Sequence, residues 1–335
     1  MIPTIEEIAK QMMAPGKGIL AADESDNTMA KRLKSIQVPV TEENGRRFRN
    51  VLFTAPQIEE YLSGVILFDA TMRHDSDTGV AFPRLLESKG IIPGIKVDKG
   101  VEPFPNHEGE VVSHGVDGLR ARLQEYYELG ARFTKWRSVI RIGEDMPSLA
   151  VLYANAHVLA HSAALVQEAN MVPMVEPEVL FDGTHTLERS GEVLEKTLTI
   201  LFTTLQAYNV SLPGLILKTS MALPGKESGI ELDPIAIGRE TVRVLKAAVP
   251  EETGGIVFLS GGQTPEQATD NLNTIAQHDN MPWPVTFSYS RAIEEPVLKA
   301  WQGDDANVAK AQEALQKRLS LNVAARKGSY SKDME

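Results

Sequence analysis

Gly214-Leu215-Ile216-Leu217-Lys218-Thr219-Ser220-Met221 sets one lysine in an apolar run, with Pro213 before it and Pro224-Gly225 after it. The run has the length of a strand buried on both faces, as in a parallel sheet, and the flanking proline and glycine mark its ends. A lysine there has two readings of equal standing. Either its ammonium snorkels to water from the strand end, or it is held among apolar neighbours, where desolvation favours the neutral amine and makes it a nucleophile towards carbonyls.

Working outward, the same kind of short apolar segment recurs at residues 18–23, 64–68, 92–97, 133–140, 171–175, 255–259 and 285–288, which with 215–221 makes eight. Helical patterns lie between them, clearest at 147–168, 191–208, 234–248 and 265–277, with apolar residues at three- and four-residue steps. An amphipathic helix carrying Ile5, Ile8, Ala9, Met12 and Met13 opens the chain, and helices over 295–301 and 306–322 close it. Strand and helix alternating eight times without a long linker predict an α/β fold, a single closed parallel (β/α)8 barrel of the TIM type over 1–335 with extra N- and C-terminal helices. Residues 328–335 read as a polar, mobile tail.

Such barrels place their chemistry at the C-terminal ends of the strands. The first strand ends in Asp23-Glu24-Ser25, the second in Asp69 and the third in Lys96-Val97-Asp98-Lys99; the fourth carries Lys135 and Arg137. The fifth ends in Glu176-Pro177-Glu178, the sixth holds Lys218, and the last two end in Ser260-Gly261-Gly262 and Ser288-Tyr289-Ser290-Arg291. Strand side chains alternate, so Lys135 and Arg137 share a face with Trp136 opposite, and Glu176 and Glu178 share one likewise. With Lys218 this constellation has the parts of a lysine nucleophile flanked by a second ammonium and by carboxylates able to move protons. A structural ion-pair layer at the barrel mouth is the alternative. The glycines after Ser260 let backbone approach an anion, and Arg291 can grip phosphate in bidentate fashion. Lys31, Arg32 and Lys99 form a second basic group, which a solvated helix face explains almost as well.

Composition narrows the field. The 335 residues are 42% hydrophobic and 24% charged, and a formal net charge of −11 argues against a nucleic-acid or anionic-membrane surface. The chain has no cysteine, which removes disulfides and thiolate chemistry and fits a reducing compartment. Residues 1–10 lack the basic start and apolar core of a secretory signal, and no apolar run is expected to approach the roughly 18 residues of a membrane span. A cytoplasmic protein is the expectation. His157 and His161 stand four apart on a helix, a spacing that suits a metal. They fall within the apolar pattern of Ala154, Val158, Ala160 and Leu165, so packed structural histidines are expected, and no catalytic metal.

Taken together these residues resemble the class I, Schiff-base fructose-1,6-bisphosphate aldolases over nearly the whole chain. The matching stretches are 14–25 (APGKGILAADES), 94–100 (GIKVDKG), Lys135-Trp136-Arg137 and 172–178 (VPMVEPE), followed by Leu217-Lys218, 258–263 (FLSGGQ) and 286–291 (TFSYSR). The resemblance implies reversible cleavage of fructose 1,6-bisphosphate, with Lys218 forming the imine. Lys135 and Glu176 would then serve carbinolamine formation and dehydration, Glu178 would support them, and Asp23 would accept the C4 hydroxyl proton. It further implies a C1-phosphate site at Ser260, Gly261 and Arg291, joined by Gly262, Ser288 and Ser290. Ser25, Thr28, Lys31, Arg32, Lys99 and Arg137 would surround the other phosphate. No cofactor is implied beyond the covalent Schiff base, and a homotetramer is. The chain departs from many animal members in reading Thr219-Ser220 for Pro-Asn and Ser290 for Gly. It also has Tyr330 as its last tyrosine, where those members end a longer tail in one; Tyr330 is not expected to replace it. Competing readings are a sedoheptulose-bisphosphate aldolase, a transaldolase-like lysine-imine enzyme, and a non-catalytic sugar-phosphate-binding scaffold. Two anion sites argue against the transaldolase, whose donor carries one phosphate.

Overall fold

The computed structural model describes residues 3–335. The strands in chain order are β1 (Gly18–Ala22), β2 (Leu62–Leu67), β3 (Ile92–Lys96), β4 (Val101–Pro103), β5 (Val111–Ser113), β6 (Phe133–Ile140), β7 (Val172–Val179), β8 (Ile216–Thr219), β9 (Gly255–Phe258) and β10 (Val285–Tyr289). All but β4 and β5 close into one parallel barrel in chain order, and β4 and β5 form a separate antiparallel pair. The helices are α1 (Ile5–Met12), α2 (Asp26–Ser35), α3 (Glu42–Phe53), α4 (Asp69–Arg73), α5 (Phe82–Ser88), α6 (Leu119–Glu128), α7 (Leu149–Glu168), α8 (Leu187–Ala207), α9 (Pro234–Ala248), α10 (Pro265–Ala276), α11 (Arg291–Trp301) and α12 (Val308–Arg326). The expected (β/α)8 barrel with added terminal helices is the observed architecture.

Two apolar cores follow from the period-two alternation of strand side chains. Inside the barrel, Ile19, Ala21, Phe133, Met174, Ile216 and Val257 pack with Ile8, Ala9, Met12 and Met13 of α1, which plugs the lower end. Outward-facing Leu20, Trp136, Val175 and Leu217 join the larger core beneath the helices. Gly94 makes room for the inner core: a Cβ there would stand 2.2 Å from the Phe133 ring. Two residues beyond four of these inner apolar positions the chain turns polar. Ala21 is followed by Asp23, Phe133 by Lys135, Met174 by Glu176 and Ile216 by Lys218, so a charged layer sits directly on an apolar one.

Three expectations are corrected. Residues 328–335 do not hang free. The Tyr330 backbone N–H donates to Asn273 at 2.9 Å, its hydroxyl to Glu335 at 3.0 Å, and Arg318 holds both Glu335 carboxylate oxygens at 2.7 and 2.6 Å. One run does reach membrane length: the 20-residue α7 is apolar enough to cross a bilayer by composition. It is a core helix whose Leu152, Ala156, Leu159, Ala163 and Val166 are buried within the fold, packed against α8, β6 and β7. His157 and His161 are not packed inside α7 either; both are exposed, each with its ring centroid 6.0 Å from that of Tyr208.

Candidate active site

The charged layer is built by four strands. Lys135 on β6 lies between two carboxylates, with Nζ 2.8 Å from Asp23 Oδ2 and 2.8 Å from Glu176 Oε2. Lys218 on β8 reaches the other oxygen of Glu176, Nζ to Oε1 being 3.1 Å. Register fixes this meeting: β7 pairs Met174 with Ile216 on β8, so Glu176 and Lys218 are raised by the same two residues above that pair. Arg137 closes on Glu178 of the same strand pair. The sixth strand stops at Thr219, and β7 runs through Val179, so Glu176 and Glu178 belong to the strand rather than to the loop after it. An apolar-run criterion ends β7 too early, because its inner face becomes the floor of a polar cavity while pairing continues.

Lys218, Lys135 and Glu176 are each less than 5% exposed, so their charges interact at low effective dielectric. Burial works against an ionised Glu176, yet Lys135, Lys218 and Arg137 overcome it and hold its pKa down at about 2. Burial likewise opposes the Lys135 ammonium, and the Asp23 and Glu176 carboxylates overcome that and hold it well above the usual lysine value. In the resting site Lys135 is thus a cation and Glu176 an anion. The β8 exit is secured by Ser220, which donates to the Val179 carbonyl at 2.8 Å and so ties β8 to β7.

Above this layer opens a cavity with two adjoining lobes of about 720 and 830 Å³. Asp23, Thr28, Arg32, Lys135, Arg137 and Ser290 border both. The first lobe is completed by Lys31, Glu176, Glu178, Lys218, Ser260, Gly261, Gly262, Ser288 and Arg291. Ser25 and Lys99 line the second only. Every residue that the resemblance places in catalysis or phosphate binding therefore borders one lobe or the other. In the first, Gly261 and Gly262 take positive φ of 50° and 92°, and a Cβ on Gly262 would stand 3.3 Å from Arg291 Nη2. Glycine here permits both the turn and the approach of the guanidinium. Arg291 opens α11, whose first turn has no side-chain cap at Ser290, leaving a helix N-terminus turned towards the lobe as an anion site. The Ser288 hydroxyl, buried with no hydrogen-bond partner, faces the same lobe.

Several residues of the cavity were not singled out as site residues. Asp98 takes the Lys96 ammonium at 2.5 Å and accepts from the backbone N–H of Arg137 at 3.2 Å, fixing the floor of the second lobe. Arg73 and Arg122 add cations from α4 and α6. Lys96 and Asp98 stood among the strand ends named from sequence and carried that signal. Arg73 and Arg122 lie on helices, where one arginine is indistinguishable from a solvated one. Tyr330 lines neither lobe. Among the described residues no three His, Cys, Asp or Glu side chains converge to hold a metal ion.

A closed parallel barrel with a buried lysine among carboxylates and flanking anion sites defines a lysine-centred lyase of the (β/α)8 type. The family profile described as fructose-bisphosphate aldolase class-I matches residues 4–335. The probable fructose-bisphosphate aldolase class 1 of Xanthomonas campestris pv. campestris is 51% identical over 330 residues, spanning 98% of this chain and 99% of its own. The cytosolic fructose-bisphosphate aldolase 4 of Arabidopsis thaliana is 44% identical, spanning 100% of this chain and 86% of its own. Among solved structures, the Plasmodium falciparum fructose-bisphosphate aldolase, in ternary complex with TRAP and a small-molecule inhibitor, superposes with a TM-score of 0.96. It is 42% identical and covers 98% of this chain and 95% of its own. The chain belongs to the class-I fructose-bisphosphate aldolase family.

Proposed function

We propose that Lys218 is the imine-forming residue of a reversible retro-aldol cleavage of fructose 1,6-bisphosphate. The observation that carries this is Lys218 Nζ, buried and 3.1 Å from an ionised Glu176, on the floor of a cavity with phosphate-type loops at its rim. Lys218 gives one proton to Glu176 and adds as the amine to the C2 carbonyl; a second proton passes from its nitrogen to the oxyanion, and Glu176 then returns the first to the carbinolamine hydroxyl, which leaves as water and leaves a protonated imine. Lys135, pinned between Asp23 and Glu176, holds positive charge against the developing oxyanion. Asp23 then accepts the C4 hydroxyl proton. As the C3–C4 bond breaks, its electron pair moves into the protonated imine, giving an enamine of dihydroxyacetone phosphate and free glyceraldehyde 3-phosphate. Protonation of the enamine and hydrolysis of the imine return the amine. Glu178 supports the site by fixing Arg137.

Ser260, Gly261, Gly262, Ser288 and Arg291 hold the C1 phosphate in the first lobe. Ser25, Thr28, Lys31, Arg32, Lys99 and Arg137 surround the second phosphate, and Ser290 stands where the lobes meet. The imine is the electron sink, so the family works without a metal. We assign the chain one barrel domain over 1–335, cytoplasmic residence and assembly into a homotetramer; light scattering on a sizing column tests the last. Borohydride treatment with dihydroxyacetone phosphate, followed by peptide mapping, tests the mechanism. The expected product is a single reduced adduct on Lys218; no adduct, or one elsewhere, sinks it.

A further inference from the structure

Behind the wall where the two lobes meet, two carboxyls and two guanidinia alternate in a closed square. Glu24 reaches Arg32 at 2.5 Å and also contacts Arg49, while Glu294 of α11 reaches Arg32 at 3.0 Å and Arg49 at 3.5 Å. Glu294 is fully buried, with the two guanidinia as its ion-pair partners. Ser290 belongs to the same set. Its hydroxyl donates to Glu24 Oε1 at 2.6 Å and accepts from Arg32 at 2.5 Å. Of the four charged residues only Arg32 touches both lobes.

We propose that Glu294 is a positioning residue for the grip on the second phosphate: as a neutral carboxyl it holds one end of the Arg32 guanidinium while Glu24 and Ser290 hold the other. The inference rests on the reading of Arg32 as a phosphate-facing group. Geometry sets the division of labour. Arg32 enters the cavity wall with one terminal nitrogen on Glu294 and the other on Glu24, so its swing is removed before substrate arrives while it still borders both lobes. Two ionised carboxylates would cancel both guanidinia and leave no net charge behind the phosphate. A neutral Glu294 leaves one positive charge, which a phosphate dianion needs in a chain of net charge −11. The charged groups that reach Glu294 are Glu24 from the β1–α2 turn, Arg32 from α2 and Arg49 from α3. Burial, and after it the Glu24 charge, push the Glu294 carboxyl well above the usual carboxylate range, which supports its neutrality. Burial also raises Glu24, but Arg49 and Arg32 overcome it and keep that partner ionised.

The test compares E294L with E294Q, both neutral and near-isosteric, of which only glutamine retains hydrogen-bonding atoms. Steady-state cleavage is measured with fructose 1,6-bisphosphate and with fructose 1-phosphate, which lacks the second phosphate. E294L is expected to raise KM for the bisphosphate about ten-fold, the effect of losing one polar contact to a charged group, with kcat and the monophosphate kinetics unchanged. E294Q keeps the wild-type KM. Once pH has risen far enough for Glu294 to lose its proton the wild-type bisphosphate KM climbs, and in E294Q that climb is reduced; this arm decides the matter if E294L does not fold. Equal losses with both substrates, an E294Q as poor as E294L, or the same climb with pH in E294Q and wild type overturns the proposal. Dihydroxyacetone phosphate trapping on Lys218 in each variant reports on the imine chemistry separately, so failure there is distinguished from failure here.

Discussion

Glu176 stands between two buried ammonium groups, so its ionisation is both a mechanistic and a stability statement. Its folded pKa of about 2 lies below the ordinary value of 4.5. The stability it contributes is therefore fully present above the unfolded value and lost as pH falls towards the folded one, amounting to about 3 kcal/mol across that window. Glu176→Gln should remove most of this acid slope in denaturant titrations between those two values. A variant that keeps the wild-type slope would show that the carboxyl is not held ionised by its two lysines. The same residue shows how legible the site was. Asp23, Lys135, Glu176 and Lys218 could be read because each breaks an apolar strand at the inward phase. Arg49 and Glu294 could not, because buried charges on helices leave no mark in a 3.6-residue pattern and are matched only by partners distant in sequence; Glu24 was visible as a strand end but not as one corner of the carboxyl–guanidinium square.

At the scale of elements, the β9–α10 loop carries the conformational demand. Gly262 adopts φ 92°, and a side chain there meets both a strained backbone and the Arg291 guanidinium 3.3 Å away. Gly262→Ala is expected to raise KM for fructose 1,6-bisphosphate by roughly ten-fold, from about 1–2 kcal/mol of backbone strain and displaced phosphate contact. The yield of borohydride adduct at saturating dihydroxyacetone phosphate should stay near wild type. A lost adduct with unchanged KM would place the loop's role in the chemistry instead. Chelation is a second test at this scale, because the strand ends and not a metal supply the electrophile: EDTA should leave the cleavage rate unchanged, and loss restored by added metal would contradict that. The existence of each barrel strand was legible from sequence, but its end was not always so. Pairing in the barrel continues wherever a neighbouring strand offers a ladder, as β7 does beyond Val175 against β6, whatever the side chains do. The outward histidines of α7 were misread for a related reason. Their alanine and valine neighbours are apolar on nearly every face, so the pattern loses its direction and only the packing against α8 shows which side is out.

For the whole molecule, closure depends on the last long helix returning to the foot of the barrel. Arg326 near the end of α12 donates to the carbonyls of Val285 at 3.0 Å, Lys17 at 2.5 Å and Met13 at 3.0 Å, and also to that of Ala14. One guanidinium thus joins the start of β10, the α1–β1 connection and the C-terminal helix, on the face opposite the active site. The chain end is fastened by a separate set in which Arg318 grips Glu335 and donates to the Pro265 carbonyl at 2.9 Å. That docking was invisible in a polar, short-range reading of residues 328–335, since it depends on a buried arginine ten residues and more upstream. Arg326→Met keeps the aliphatic stem but removes a donor shared by four carbonyls, of which Lys17 keeps the Thr286 hydroxyl and Ala14 the Lys17 backbone N–H, at a cost of about 3 kcal/mol. For a chain of this length that corresponds to a melting temperature lower by about 4 °C. Because the tie lies below the α1 plug, while Lys218 and its partners stand on the apolar layer above it, kcat and KM should match wild type under conditions where both proteins are folded. A fall in kcat without a fall in melting temperature would mean instead that the foot of the barrel sets the height of the charged layer, coupling the two ends of the fold.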